Sequence, residues 1–219
     1  MKALIFGASG MVGQGILREC LLDPGVKAVV SVVRAPTGAT HAKLREIMHG
    51  DFLDFLPIEG ELSGLDACFY CLGVSAAGLS EAEYTRITHD YALAAARTLL
   101  RLNPALTFVF VSGAGTDSSA QGRVMWARVK GRTENELLAL PFKAAYMFRP
   151  AAIQPLQGIR SKTRSYRVLY ALLGPLLPVL RRAFPNQVTT TEVLAKAMLR
   201  VAREGHPKRI LESADLRLV

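Results

Sequence analysis

The chain has 219 residues, half of them hydrophobic, with a mean hydropathy of +0.23; this suits one α/β domain with a buried core and excludes disorder. The formal net charge is +9, unevenly spread: no acidic residue lies between Glu136 and Glu192, while Lys143, Arg149, Arg160, Lys162, Arg164, Arg167, Arg181 and Arg182 do, so an anionic partner is expected near this stretch. No helix-turn-helix, zinc-finger or RNP pattern accompanies that charge, so nucleic acid is not the expected partner.

The start, Met1-Lys2 followed by Ala3-Leu4-Ile5-Phe6, reaches a glycine too soon for a secretory signal. The longest apolar run, 168–180, is broken by Gly174, Pro175 and Pro178 and is too short to span a bilayer. Three cysteines give an odd count and no disulfide framework. The expected compartment is the cytoplasm.

Taken in order, 2–6 reads as a first strand and 11–22 as a helix ended by Asp23-Pro24-Gly25. A second strand falls at 28–33, a weaker third at 44–48, and a fourth at 67–72, whose continuous apolarity marks burial on both faces. Cys68 and Cys71 lie in that fourth run. Residues three apart on a strand point to opposite faces, so the pair is read as buried packing and not as a metal or redox site.

Ser80 is placed to cap a long helix over 81–101, stopped by Asn103-Pro104. A fifth strand follows at 107–111, a helix at 124–140 ended by Pro141, and a sixth strand at 144–148. Beyond Arg149-Pro150 the alternation loosens into a basic apolar segment (164–182), a capped helix (191–203) and a short strand near Ile210-Leu211. Strands alternating with helices predict a doubly wound parallel sheet of the Rossmann type. No repeat or long linker divides the chain, so 1–219 reads as one domain, with 150–219 a small C-terminal portion that does not stand alone.

The loop Gly7-Ala8-Ser9-Gly10-Met11-Val12-Gly13 joins the first strand to the first helix. Gly7 permits the tight turn, Gly10 removes a Cβ that would block a diphosphate, and Gly13 lets the helix pack close to the sheet. Free N–H groups and the positive helix end then face the phosphates, which predicts a bound dinucleotide. The second strand ends Val32-Val33-Arg34, and no carboxylate occurs from Pro24 to Arg45 to accept from a ribose diol. A guanidinium there pairs with a 2′-phosphate, so NADP is expected ahead of NAD. Asp51 and Phe52 follow the third strand, where a carboxylate can meet the adenine amino group; Asp51 reads equally well as an ordinary loop residue. Gly73 ends the fourth strand, where a side chain would crowd the cofactor.

These residues resemble an atypical short-chain dehydrogenase/reductase, of the kind grouped with NAD-dependent epimerase/dehydratases and Tat-interacting-protein oxidoreductases. The resemblance rests on the glycine loop, Val33-Arg34, Cys71-Leu72-Gly73, VSGAG at 111–115, VKG at 129–131 and RPAAIQP at 149–155, and covers essentially the whole chain. It implies that the C-terminal portion lies on the substrate side, that Ser112 and Lys130 are catalytic, and that Lys130 also holds the nicotinamide ribose.

The family's Tyr-x-x-x-Lys has Trp126 in the tyrosine's place. The i, i+4 spacing keeps Trp126 and Lys130 on one helix face, but an indole N–H is no acid. Three explanations stand. The proton comes from Ser112, a water or the substrate; or the chain binds NADP without turnover; or another tyrosine, Tyr84 or Tyr91, substitutes. The expected function is an NADP-dependent oxidoreductase or epimerase-like enzyme acting on a small molecule, and the alternative is a non-catalytic NADP-binding regulator or sensor. The segment from 160 to 182 has four readings: a lid over substrate, a membrane-surface contact, a homo-oligomer interface, or a packed helix with solvated arginines. His41, His49, His89 and His206 lack metal-ligand spacing, so no metal is expected.

Overall fold

A computed structural model describes residues 1–159, 182 and 186–219. The readings offered for the segment from 160 to 182 fall, apart from Arg182, outside the described residues.

The elements are β1 (Lys2–Phe6), α1 (Met11–Leu22), β2 (Ala28–Val33), β3 (Leu44–Met48), β4 (Ala67–Tyr70), α2 (Glu81–Thr85), α3 (Tyr91–Leu102), β5 (Thr107–Val111), α4 (Met125–Ala139), β6 (Ala144–Arg149), β7 (Ala152–Gln154), β8 (Val188–Thr190), α5 (Thr191–Glu204) and β9 (Ile210–Glu212). Seven strands pair in parallel in the order β3-β2-β1-β4-β5-β6-β9. This is the doubly wound, Rossmann-like sheet that the alternation predicted.

Each strand feeds both faces because its side chains alternate. Ala3, Ile5, Ala67, Phe69, Val109, Tyr146 and Phe148 join a core with Ile16, Leu17 and Cys20 of α1 and Leu194, Met198 and Val201 of α5. Leu4, Phe6, Cys68, Tyr70, Phe108, Phe110 and Met147 join the opposite core with Leu93, Ala96 and Leu99 of α3. Helices thus cover both faces, which explains the continuous apolarity of the central strands.

The predicted boundaries shift in places. The fourth strand ends at Tyr70 and not at residue 72; Cys71 N–H still donates to Phe6 C=O (3.0 Å), and the chain then turns away. The long helix is interrupted by a π-helical turn, Arg86–Asp90, which period counting does not reveal. Ser80 caps its start as expected: its Oγ accepts from Glu83 N–H (3.3 Å), and the Glu83 carboxylate accepts from Ser80 N–H (2.9 Å). A 3₁₀ turn at Leu56–Glu61 and the β7–β8 pair were not anticipated. Among the described residues no helix is long and apolar enough to cross a membrane.

One buried charge pair ties α4 to the sheet. Glu134 is fully buried, and Arg149 Nε donates to both of its carboxylate oxygens (3.0 and 3.1 Å) while a terminal guanidinium nitrogen reaches the same group. Arg149 also meets Glu212 of β9 (3.0 Å) and Ser118 (2.6 Å). It therefore does not offer its charge to an outside anion, contrary to the expectation from the basic stretch.

Glu134→Ala leaves that guanidinium buried without its main partner, and is expected to cost about 3–5 kcal/mol in urea unfolding.

Candidate functional site

The turn between β1 and α1 is shaped by close approach. Gly7 has φ +80°, and a Cβ there would lie 2.7 Å from Leu72 N. At Gly13 the clash would be worse, 2.0 Å from Gly7 O. Gly10 N–H donates to Gly7 C=O (2.9 Å), and the first helical bond runs from Gln14 N–H to Gly10 C=O (2.8 Å). The amides of Met11, Val12 and Gly13 thus precede the first i→i−4 bond. No side chain caps this end and no acidic residue stands in the first turn. An anion fits the positive helix end that these features leave open.

The turn opens into a cleft of about 440 Å³ lined by residues 7–12, 32–34, Phe52 and 71–75. A second cleft of about 740 Å³ shares Met11, Val12 and 71–75 with the first, then extends to Tyr84, 111–114, Trp126, Lys130, Pro150, Ala151 and Ile153. Together they run along the carboxyl ends of β1, β4 and β5, where the strand order reverses. Ligands of open α/β sheets bind at that switch point.

Most of the predicted positions meet here. Gly7, Ala8, Ser9, Gly10, Met11, Val12, Arg34, Phe52 and Gly73 line the first cleft, and Ser112, Trp126 and Lys130 line the second. Gly13 stands behind the turn as the packing contact. Arg34 is exposed at the end of β2 and makes no hydrogen bond or ion pair among the described residues. Asp51 is not brought into the lining; its carboxylate accepts from Leu53 N–H (2.9 Å), closing a local turn.

Ser112 is buried at the end of β5, and its Oγ lies 2.9 Å from Thr116 Oγ1, which in turn donates to Gly113 C=O (2.8 Å). Lys130 is half-buried on α4, with Nζ 5.8 Å from the centroid of the Phe110 ring. Among the described residues its ammonium has no hydrogen bond and no carboxylate partner. Burial pushes its pKa from 10.5 down to about 8, against the pull of Glu134 one turn further on.

Trp126 lies against Gly115, so its indole forms part of the cleft wall. Of the two tyrosines considered as substitutes, Tyr84 lines the second cleft, while Tyr91 packs on Phe52 (5.7 Å between ring centroids) outside it. Sequence reasoning missed the contribution of Val74, Ser75, Ala76 and Ala77. The run of small residues after Gly73 was the available signal.

The cysteines lie where the strand argument puts them. Cys68 belongs to the α3-side core and Cys71 to the α1-side core. Burial raises the pKa of every thiol, that of Cys20 to about 12, which disfavours thiolate chemistry.

No family model matches the chain. It is 27% identical over 219 residues to the protein fmp52-2, mitochondrial, of Aspergillus oryzae, covering 98% of this chain and 94% of that one. It is 31% identical over 167 residues to FMP52-2, mitochondrial, of Scheffersomyces stipitis, covering 74% and 69%. These names overturn the cytoplasmic expectation and point to mitochondria instead.

Among solved structures, an oxidoreductase of the short-chain dehydrogenase/reductase family from Burkholderia thailandensis superposes with TM-score 0.69 at 14% identity, covering 100% of this chain and 93% of that one. The Bordetella bronchiseptica enzyme WbmF, in complex with NAD⁺, superposes with TM-score 0.69 at 14% identity, covering 99% and 76%. At that identity the likeness is one of fold.

Gly13→Ala forces a methyl group onto the Gly7 carbonyl and is expected to destabilise the protein by roughly 1–3 kcal/mol. Gly73→Ala meets open space and should shift unfolding by less than about 0.5 kcal/mol in the same urea titration.

Proposed function

The chain belongs to the FMP52 family, and from that premise we propose that it is an NADP-dependent oxidoreductase or epimerase-like enzyme of the short-chain dehydrogenase/reductase kind, acting on a small carbonyl compound. The observation that carries this reading is the continuity of the two clefts. One groove runs from Arg34, past the glycine turn, to Ser112 and Lys130, and so offers distinct places for the two ends of a dinucleotide.

In this reading the amides at the start of α1 hold the diphosphate, Arg34 takes the 2′-phosphate, Phe52 borders the adenine, and Lys130 reaches the nicotinamide ribose. The bound cofactor supplies or accepts a hydride at the reacting carbon. The substrate end is walled by Val12, Leu72, Tyr84, Val111, Trp126 and Ile153, which favours an apolar substrate body. Short VSGAG, VKG and RPAAIQP segments support a closer kinship with Tat-interacting-protein-type oxidoreductases.

Trp126 favours a second reading. An enzyme that needs a phenol at that position has lost it, and a non-catalytic NADP-binding regulator needs only the turn, Arg34 and Lys130. Turnover separates the two. NADPH oxidation is expected with at least one member of a panel of apolar aldehydes, ketones and quinones; tight NADPH binding with no turnover of any of them would establish the regulator instead.

Arg34→Ala is expected to weaken NADPH binding by roughly tenfold while leaving NADH nearly unchanged, read by titration of nucleotide fluorescence. Equal losses for both would remove Arg34 from the phosphate role.

A further inference from the structure

If the cleft reduces a carbonyl, a proton must reach the oxygen, and the residue that usually supplies it is an indole here. Ser112 Oγ is tied to Thr116 Oγ1 (2.9 Å), whose hydroxyl also lies 2.8 Å from Gly113 C=O. A neutral serine hydroxyl in that chain is a far weaker acid than an ammonium.

Among the described residues, Lys130 is the cationic side chain that lines the second cleft. It sits one helical turn after Trp126, on the same face of α4. Its ammonium carries three hydrogens, and none is bound to a partner among the described residues. The nearby carboxylate, Glu134, is engaged by the guanidinium of Arg149, so it does not claim the ammonium.

Resting on the oxidoreductase reading above, we propose that Lys130 is itself the proton donor: its Nζ delivers a proton directly to the substrate's carbonyl oxygen, taking over the part of the missing phenol. The carbonyl carbon receives hydride, with its two electrons, from the reduced nicotinamide. The carbon–oxygen π bond opens onto oxygen, an Nζ–H bond breaks and an O–H bond forms. The neutral amine then regains a proton from water. Overall, carbonyl, reduced nucleotide and one proton give alcohol and oxidised nucleotide.

An ordinary lysine holds its proton too tightly for this work near neutrality. With a pKa of about 8, Lys130 is still protonated at pH 7 yet gives the proton up more readily, and a donor matched to the working pH is the efficient one. Among the described residues, the titratable and charged groups around it are Cys71 after β4, Tyr84 of α2, Glu134 of α4 and Arg149 of β6. Burial holds the Cys71 thiol neutral well above neutral pH. Since the donor must be protonated, reduction requires pH below its pKa.

The test follows NADPH-dependent reduction of an apolar aromatic aldehyde from neutral to alkaline pH. kcat should be level at neutrality and fall about tenfold per unit above about pH 8. Lys130→Arg keeps a cation near Phe110 but gives up its proton far less readily; at saturating NADPH it is expected to lose about 100-fold or more in kcat. A measurement that needs no turnover runs beside it. In ¹⁵N-lysine NMR of the cofactor-free protein, one side-chain signal should titrate near 8 and be absent from Lys130→Arg. Tyr84→Phe should keep the alkaline fall.

Full activity in Lys130→Arg, a profile flat through pH 9, or an alkaline fall lost in Tyr84→Phe would overturn the proposal. In any of these cases the wild type is still turning substrate over, and the oxidoreductase reading stands. A wild type that binds NADPH and reduces nothing would overturn both.

Discussion

The site depends on how closely two pieces of backbone approach at the first crossover. Gly13 of α1 is pressed so near the Gly7 carbonyl that there is no room for a Cβ. That contact lets the helix begin immediately after β1, with its uncapped amino end directed along the sheet's carboxyl edge. Moving the helix outward by the width of a methyl group would carry the open amides away from the cleft they border. The anion-binding geometry is therefore a consequence of steric exclusion and not of any charged side chain.

The sheet holds that junction in place from both faces. β1 lies inside the order β3-β2-β1-β4, so its residues alternate between the α1–α5 core and the α3 core. A one-residue slip in register would exchange the two faces, setting Phe6 against α5 and Ile5 against the ring cluster of Phe52, Phe55 and Tyr70. This cost fixes where β1 ends, and with it the position of Gly7. Packing two cores and placing the phosphate-facing turn are the same constraint seen from different ends.

What could be read from the sequence follows the range of the interactions. The glycine spacing, the Ser80 cap and the strand alternation are local patterns, and all three appear in the structure, with the fourth strand two residues shorter than expected. The strands β7 and β8 are three residues each and pair across more than thirty positions, so neither carries a period to detect. Arg149 read as free positive charge because its partner, Glu134, lies fifteen residues earlier on a different element. Asp51 is a different case. An Asx turn onto Leu53 N–H is a local signal, and weighing it would have lowered the expectation that its carboxylate faces the cofactor.

The exchange of tyrosine for Trp126 removes an acid and also changes the surroundings of the residue one turn later. A phenol beside Lys130 would give the ammonium a hydrogen-bonding oxygen. An indole has no acceptor to offer and adds apolar wall. Desolvation is the leading cause of the lysine's lowered pKa, and the opposing carboxylate, Glu134, is hydrogen-bonded to Arg149. Loss of the phenol and weakening of the lysine's hold on its proton are therefore linked physically through one side chain. The buried Glu134–Arg149 pair acts on the fold and on the cleft together: it anchors α4 to β6, and it holds the carboxylate that opposes the desolvation of Lys130 in a hydrogen-bonded place one turn away.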